Sequence, residues 1–226
     1  MSGEAFAPKP GEPFILRKGL VVSKALGLRA NDLETLLRGI RTVDPLSIYY
    51  HVHHPYFSRV SVRPEYPSAF AIWTAKQLGQ PILAERLSGI DLHEVRGDLE
   101  ELRRAFATRI DEYLRAAPPG AALVQSPPDR AFDFCTMQFV VIRAAPPAAT
   151  APELAAALRR AGSMVVFYHT YDALVRLGRP TNDFAEWTRA ALGREDLAAA
   201  LGRLDPYVHS VDELRSRVIA ILEGGV

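Results

Sequence analysis

Three histidines fall within four residues in the run "YYHVHH", and no other stretch of the chain concentrates so much side-chain chemistry. In an extended segment His51 and His53 would share a face and could hold a metal; in a helix His51 and His54 would lie one turn apart. Neither spacing has the specificity of a His-Glu-x-x-His ligand pair. A later run, "FYHTYD", supplies His169, with Tyr171 and Asp172 where the first run has His53 and His54, so the trio occurs once. The plainest reading ties His51 and His169 to a neighbouring backbone carbonyl or helix cap and leaves His53 and His54 exposed. An acid/base role would need a carboxylate from elsewhere, such as Glu65 or Asp91.

Other candidates are weighed in the same way. Asp91 and Asp205 could form a carboxylate pair, but each follows one short helix and precedes another turn, where an aspartate caps backbone N–H groups. Trp73 and Trp187 could stack a sugar or a base, yet tryptophan at helical spacing with Phe and Leu belongs to a core. Arg159, Arg160, Arg176 and Arg179 flank the second histidine run and could meet an anion such as phosphate, although scattered arginines commonly line a solvated face.

The elements that must position these residues come in two copies. Shifted by 114 positions, residues 70–91 match residues 184–205 at ten places, including Phe70 with Phe184, Trp73 with Trp187, Gly79 with Gly193 and Asp91 with Asp205. Upstream the offset is 118, where Tyr50 matches Tyr168 and His51 matches His169. A period this long, present twice, describes a duplicated domain and not a solenoid. The expected organisation is a flexible tail over 1–13, repeat one over 14–117, a Pro- and Gly-rich linker over 118–130, and repeat two over 131–226, the repeats packing as one globular unit.

Within each copy, "PFILRKGLVVSK" and "FDFCTMQFVVIR" are short and rich in β-branched and aromatic residues, as strands are. Helices follow. Asn31 or Asp32 precedes Leu33, Leu36, Leu37 and Ile40 on one face; Pro152 and Gly162 bracket "APELAAALRRAG". Ser163 and Gly178 bound a helical stripe in "SMVVFYHTYDALVRLG", whereas Pro55 should shorten the matching helix of "SIYYHVHHPYF". Asn182 or Asp183 caps the helix carrying Phe184 and Trp187. The fold class is therefore α+β and predominantly helical: two tandem pseudo-symmetric repeats, each with one or two short strands followed by about four to five helices, the strands sharing one small antiparallel sheet.

Composition removes several function classes. Lys plus Arg number 27 against 26 Asp plus Glu, a balance without the basic field that nucleic acid or an anionic membrane surface requires. Cys135 is the one cysteine and lies in an apolar run, the setting of a buried, inert thiol in a reducing cytoplasm. No stretch reads as a signal peptide or a membrane span. Phosphate loops, Gly-x-Ser-x-Gly, cysteine pairs and dinucleotide fingerprints are absent, so motifs indicate no cofactor and no metal.

The aromatic-Tyr-His run, Asn-Asp-Phe-Ala-x-Trp at 182–187, Leu192-Gly193, Leu204-Asp205-Pro206-Tyr207 and Asp212-Glu213-Leu214-Arg215 together resemble the bacterial and archaeal proteins grouped as domain of unknown function 5752. The first copy departs from that pattern, with Ser68-Ala69 in place of Asn182-Asp183 and Leu92-His93 in place of Pro206-Tyr207. The resemblance implies no activity, substrate or catalytic residue. What is duplicated is packing, without a duplicated reactive set, and the reading is a non-catalytic cytoplasmic binding or scaffold protein. Its groove or partner surface would lie between the halves and take a protein partner or a small-molecule ligand. The alternative is an enzyme, with or without a metal, with its site around His51, His53 and His54.

Overall fold

The computed structural model describes residues 6–92, 98–118 and 120–224. Residues 1–5 of the expected tail, His93, and Pro119 of the linker lie outside them. The architecture is α+β and mainly helical. Strands β1 (Arg17–Ala30) and β2 (Phe132–Arg143) pair as a two-stranded sheet, which an antiparallel bridge between Phe14 and Ala148 continues. Between them come α1 (Leu33–Thr42), α2 (Pro45–Ser58), α3 (Ala69–Lys76), α4 (Pro81–Ser88) and α5 (Leu99–Ala116). After β2 follow α6 (Ala151–Ala161), α7 (Met164–Phe167), α8 (Ala173–Leu177), α9 (Asp183–Ala190), α10 (Glu195–Gly202) and α11 (Val211–Leu222).

Local chemistry sets most of these bounds. Asp32 accepts the Thr35 N–H at the start of α1 and Asp98 accepts those of Glu100 and Glu101 at the start of α5, each satisfying donors that a helix leaves open. Leu33, Leu36, Leu37 and Ile40 bury one face of α1, as their spacing predicts. Thr150 caps α6, and Gly162 follows its end at a φ of 76°.

Three expectations need correction. Helix α2 is not shortened by Pro55 but runs through it to Ser58. The proline withholds one N–H from the ladder, and burial of Ile48, Tyr49, Val52 and Tyr56 around it outweighs that loss, because α2 packs on both α3 and α5. The segment expected to be one clean helix is the interrupted one, since a π turn over Tyr168–Asp172 separates α7 from α8. Ser163 also makes no capping bond there; its hydroxyl donates to Asp212.

The chain divides into two compact units that interleave in sequence. An internal unit comprises Val21–Ser58 and Pro64–Gln138; a terminal unit comprises the described parts of Met1–Leu20, Arg59–Arg63 and Phe139–Val226. In the internal unit α1 and α2 pack on α5, and α3 packs on α4. Phe132 stacks on Phe70, whose ring also meets Phe106. In the terminal unit α6 packs on α11, and α9 packs on α10. Phe14 stacks on Phe184 and meets Trp187 edge-on.

The two helix pairs share their details. Ser68 and Asn182 accept the N–H of Ala71 and of Ala185, Thr74 and Thr188 return hydroxyls to Phe70 O and Phe184 O, and Gly79 and Gly193 end α3 and α9 at φ values of 60° and 65°. Positive φ at both glycines is the left-handed conformation that lets a helix stop and turn. Trp73 and Trp187 are both buried, and each indole N–H donates to a backbone carbonyl, that of Arg130 and that of Glu12 respectively.

Gly39 tests how tightly the internal core is packed. It lies inside α1, where alanine would ordinarily stabilise by about 1 kcal/mol. A Cβ at Gly39 would overlap the ring of Phe134, which is fully buried and has nowhere to go. Gly39→Ala is therefore expected to destabilise by about 1–3 kcal/mol. At Gly202 the added Cβ meets only the Cβ of Ala185 at 3.8 Å, an ordinary contact. Gly202→Ala should raise the thermal midpoint that Gly39→Ala lowers, and equal effects at both would refute the packing account.

Candidate functional site

Each unit holds one histidine in the same setting. In the internal unit the helical rise of α2 turns His51 toward β2, where its Nε2 accepts the backbone N–H of Cys135 at 3.0 Å. Phe132 lies 4.5 Å from that ring, centroid to centroid, and Phe70 5.3 Å. In the terminal unit the Nε2 of His169 accepts the backbone N–H of Arg17 at 2.9 Å, with Phe14 at 4.8 Å and Phe184 at 5.4 Å. The expected tie to backbone is present, but it runs to an N–H and not to a carbonyl. A nitrogen that accepts carries no proton, so a neutral ring in this position holds its hydrogen on Nδ1.

What the Nδ1 side faces differs between the units. His169 Nδ1 donates to Asp183 Oδ2 at 2.7 Å, and the same oxygen accepts from Arg176 Nη2 at 2.8 Å. Arg176 Nε donates to Asp172 at 2.7 Å, and its guanidinium lies over the Tyr168 ring, 4.6 Å from the centroid. The π turn carries Tyr168, His169 and Asp172, and turns of this kind recur at functional sites. At the sequence offsets of 118 and 114, Asp172 corresponds to His54 and Asp183 to Ala69, so the internal unit has neither carboxylate at these places.

Burial sets the electrostatics. It lowers the pKa of His169 against the pull of Asp183, with Arg176 and Arg17 adding to the decrease. Burial would lower Arg176 as well, but Asp183 and Asp172 prevail and hold it raised. Asp183 itself is 1% exposed, and its second oxygen, Oδ1, has no hydrogen-bond partner. Buried polar atoms are nearly always paired, and this oxygen is one of three buried side-chain atoms without a partner among the described residues.

A cavity of about 350 Å³ opens over these groups. Asp183, His169, Tyr168 and Trp187 lie at its buried side, and Lys9, Glu12 and Arg17 lie at its exposed side. Residues 6–13, which the sequence reads as a tail, form part of this wall: Gly11 N–H donates to Ala191 O and Phe6 packs edge-on against Phe14. Sequence reasoning singled out His169 and Trp187 but missed Asp183, which it read only as an alternative helix cap. Asn182 fills that role, and the non-repetition of Asp183 in the first copy was the available signal.

The remaining candidates lie elsewhere. His53 is buried and not exposed, with Nδ1 on the Tyr49 carbonyl at 2.8 Å and its ring stacked on that of Tyr49; the helix places it opposite the expected solvent face. His54 is half-buried against Tyr50 and Phe57. Glu65 is exposed and pairs with Lys76 at 2.7 Å. Asp91 lines an open cleft of about 620 Å³ with Glu101, Arg104 and Arg109. Asp205 caps a short turn by accepting Tyr207 N–H. Arg159 pairs with Glu223, Arg179 pairs with Glu186, and Arg160 is exposed. Cys135 is half-buried, and burial with nearby Asp133 raises its thiol pKa, away from a reactive thiolate. Among the described residues no group of three His, Cys, Asp or Glu side chains is placed to hold a metal ion, and no helix is long and apolar enough to cross a membrane.

The buried histidines make acid stability predictable in sign. Burial lowers His51 to about 3 and His53 to about 4, from an ordinary 6.5. Between those values and 6.5 the unfolded chain takes up protons that the folded chain does not, so stability present above pH 6.5 is lost as the pH falls through that window. The slope should approach about 1.4 kcal/mol per pH unit for each such histidine. His51→Gln, which keeps an acceptor for the Cys135 N–H, should lower stability at pH 7 and flatten the decline between pH 6 and 4.5. Denaturation at a series of pH values measures both.

No curated protein matches this chain. Among solved structures, OrfY from Thermoproteus tenax is similar, with 30% sequence identity, a TM-score of 0.78, and coverage of 96% of this chain and 97% of that one. A family model matches residues 11–223, which take in both histidine settings and the cavity wall from Glu12 onward. The chain belongs to the family of unknown function DUF5752.

Proposed function

We propose that this protein binds a small molecule in the cavity over Asp183 and performs no chemistry on it. The observation that carries this reading is a cavity of about 350 Å³, within the size range of small-molecule sites, whose lining brings His169, Asp183 and Arg176 together. Aromatic walls from Tyr168 and Trp187 with a few convergent polar groups are the usual make-up of such a site. Both nitrogens of His169 are already engaged, one by Arg17 N–H and the other by Asp183, which leaves the ring no lone pair for a substrate proton.

The same reading includes the origin of the chain in one duplicated unit, supported by the matched capping bonds, the matched indole–carbonyl bonds and the two imidazole–amide bonds. Duplication explains why packing residues recur; specialisation of one copy explains why Asp172 and Asp183 do not. A scaffold that only presented surfaces would have no use for a cavity walled by a buried Asp–His–Arg cluster.

The test compares the native and denatured masses of the purified protein. A small excess mass released on denaturation is expected, or, after exhaustive dialysis, stabilisation of the emptied protein by a fraction of small-metabolite extract. Ala7→Trp places bulk at an exposed edge of the cavity and should abolish either effect without lowering the thermal midpoint. Absence of both effects in the unsubstituted protein, or their persistence in Ala7→Trp, would overturn the reading.

A further inference from the structure

Resting on the small-molecule reading, we infer that the ligand of this cavity is a small organic anion whose carboxylate or phosphate accepts from Tyr168, Arg176 and Arg17. Tyr168 is 6% exposed and lines the cavity, and among the described residues its hydroxyl has no hydrogen-bond partner. A buried tyrosine ordinarily pairs that group. Arg176 lies over the same ring and also lines the cavity, its Nε committed to Asp172 and its Nη2 to Asp183 and the Tyr168 carbonyl. Its third nitrogen, Nη1, has no acceptor among the described residues. Neither donor is sealed off, because the buried side-chain atoms without a partner there are Arg103 Nε, Ser126 Oγ and Asp183 Oδ1.

A ligand meets these donors and not the carboxylate behind them. Asp183 commits Oδ2 to His169 and Arg176, and its Oδ1 is closed to solvent. His169 offers nothing, since both of its nitrogens are engaged. At the exposed side Arg17 and Lys9 have no carboxylate partner among the described residues, and Glu12 accepts the backbone N–H of Lys9. Asp172 and Asp183 offset the charge of Arg176, so attraction for the ligand comes from Arg17 and Lys9, while Tyr168 Oη and Arg176 Nη1 fix its oxygens. An acceptor-only head group satisfies all of these donors, and a guanidinium matches the geometry of carboxylate or phosphate. A cationic head would be repelled by Arg17 and Lys9. Phe6, Pro13 and Ile15 give an organic body apolar contact that a bare inorganic anion would not use.

Calorimetric titration of the protein, dialysed into a buffer free of phosphate and carboxylates, with phenylacetate and phenyl phosphate tests this, beside neutral phenylacetamide and cationic phenethylamine. At least one anion should bind, and at least about tenfold more tightly than the amide or the amine, as charge-assisted hydrogen bonds entail. The tighter of the two anions identifies the head group. Tyr168→Phe removes a hydroxyl that bonds no described residue, so it should keep the thermal midpoint and weaken the anion by about tenfold without weakening the amide. Arg17→Gln, whose backbone N–H still meets His169, should do the same and provides an independent reading. Equal or tighter binding of the amide or the amine, or undiminished anion affinity in either folded variant, would overturn the anionic ligand. So would silence of both anions from a protein that carries a bound mass or is stabilised by extract, an outcome that leaves the small-molecule reading intact. Silence of both anions with neither bound mass nor stabilisation by extract removes that reading itself.

Discussion

A neutral, buried imidazole accepting a strand N–H is the bond around which each unit is arranged. In the internal unit it joins His51 to Cys135, and in the terminal unit it joins His169 to Arg17. Three contacts then hold one short strand segment. The indole of Trp73 or Trp187 donates to a carbonyl upstream, at Arg130 or Glu12; Phe132 or Phe14 stacks on Phe70 or Phe184; and the imidazole takes the amide downstream. An unpaired amide in such apolar surroundings would be expensive, and a protonated ring would offer no lone pair to it. The arrangement therefore requires a histidine that stays uncharged, which burial enforces.

The terminal unit adds a second layer to the same plan. Asp183 occupies the first turn of α9, where the helix N-terminus favours a carboxylate, and one of its oxygens orders the His169 tautomer while binding Arg176. Interruption of the preceding helix by a π turn accompanies this change, whereas in the internal unit α2 runs through Pro55 without such a turn. The unit with the extra charges is also the one with the cavity over its histidine. Departure from the shared plan, more than the plan itself, therefore marks where the two units differ in chemistry. The shared residues explain stability; the unshared ones leave an oxygen without a partner.

Much of this was legible before any coordinates. The spacing of Leu33, Leu36, Leu37 and Ile40, the caps at Asp32 and Asn182, and the terminal glycines Gly162, Gly178 and Gly193 define helices because each signal acts over one or two turns. The burial of both tryptophans followed from their place among Phe and Leu. Histidine was harder. His51 and His169 were expected on a backbone carbonyl or cap and meet a backbone N–H instead, and His53 was misplaced because a helix with apolar neighbours on nearly every side has no solvent face to give it.

By itself the sequence determined the elements, their ends and the internal similarity of the chain, all of which depend on periodicity, capping and identity over short spans. Only the tertiary structure decided what those elements meet. His51 and Cys135 lie 84 positions apart, and His169 and Arg17 lie 152 apart, so nothing local to either histidine reveals its partner. The same holds for the strand segment around Phe14, which packs in the terminal unit on helices more than a hundred residues later, and for Asp183, whose second oxygen is known to be unpaired only once every neighbour is placed. Burial and hydrogen-bond satisfaction are properties of the assembled surroundings, and a single chain pattern carries them only where those surroundings are built from adjacent turns.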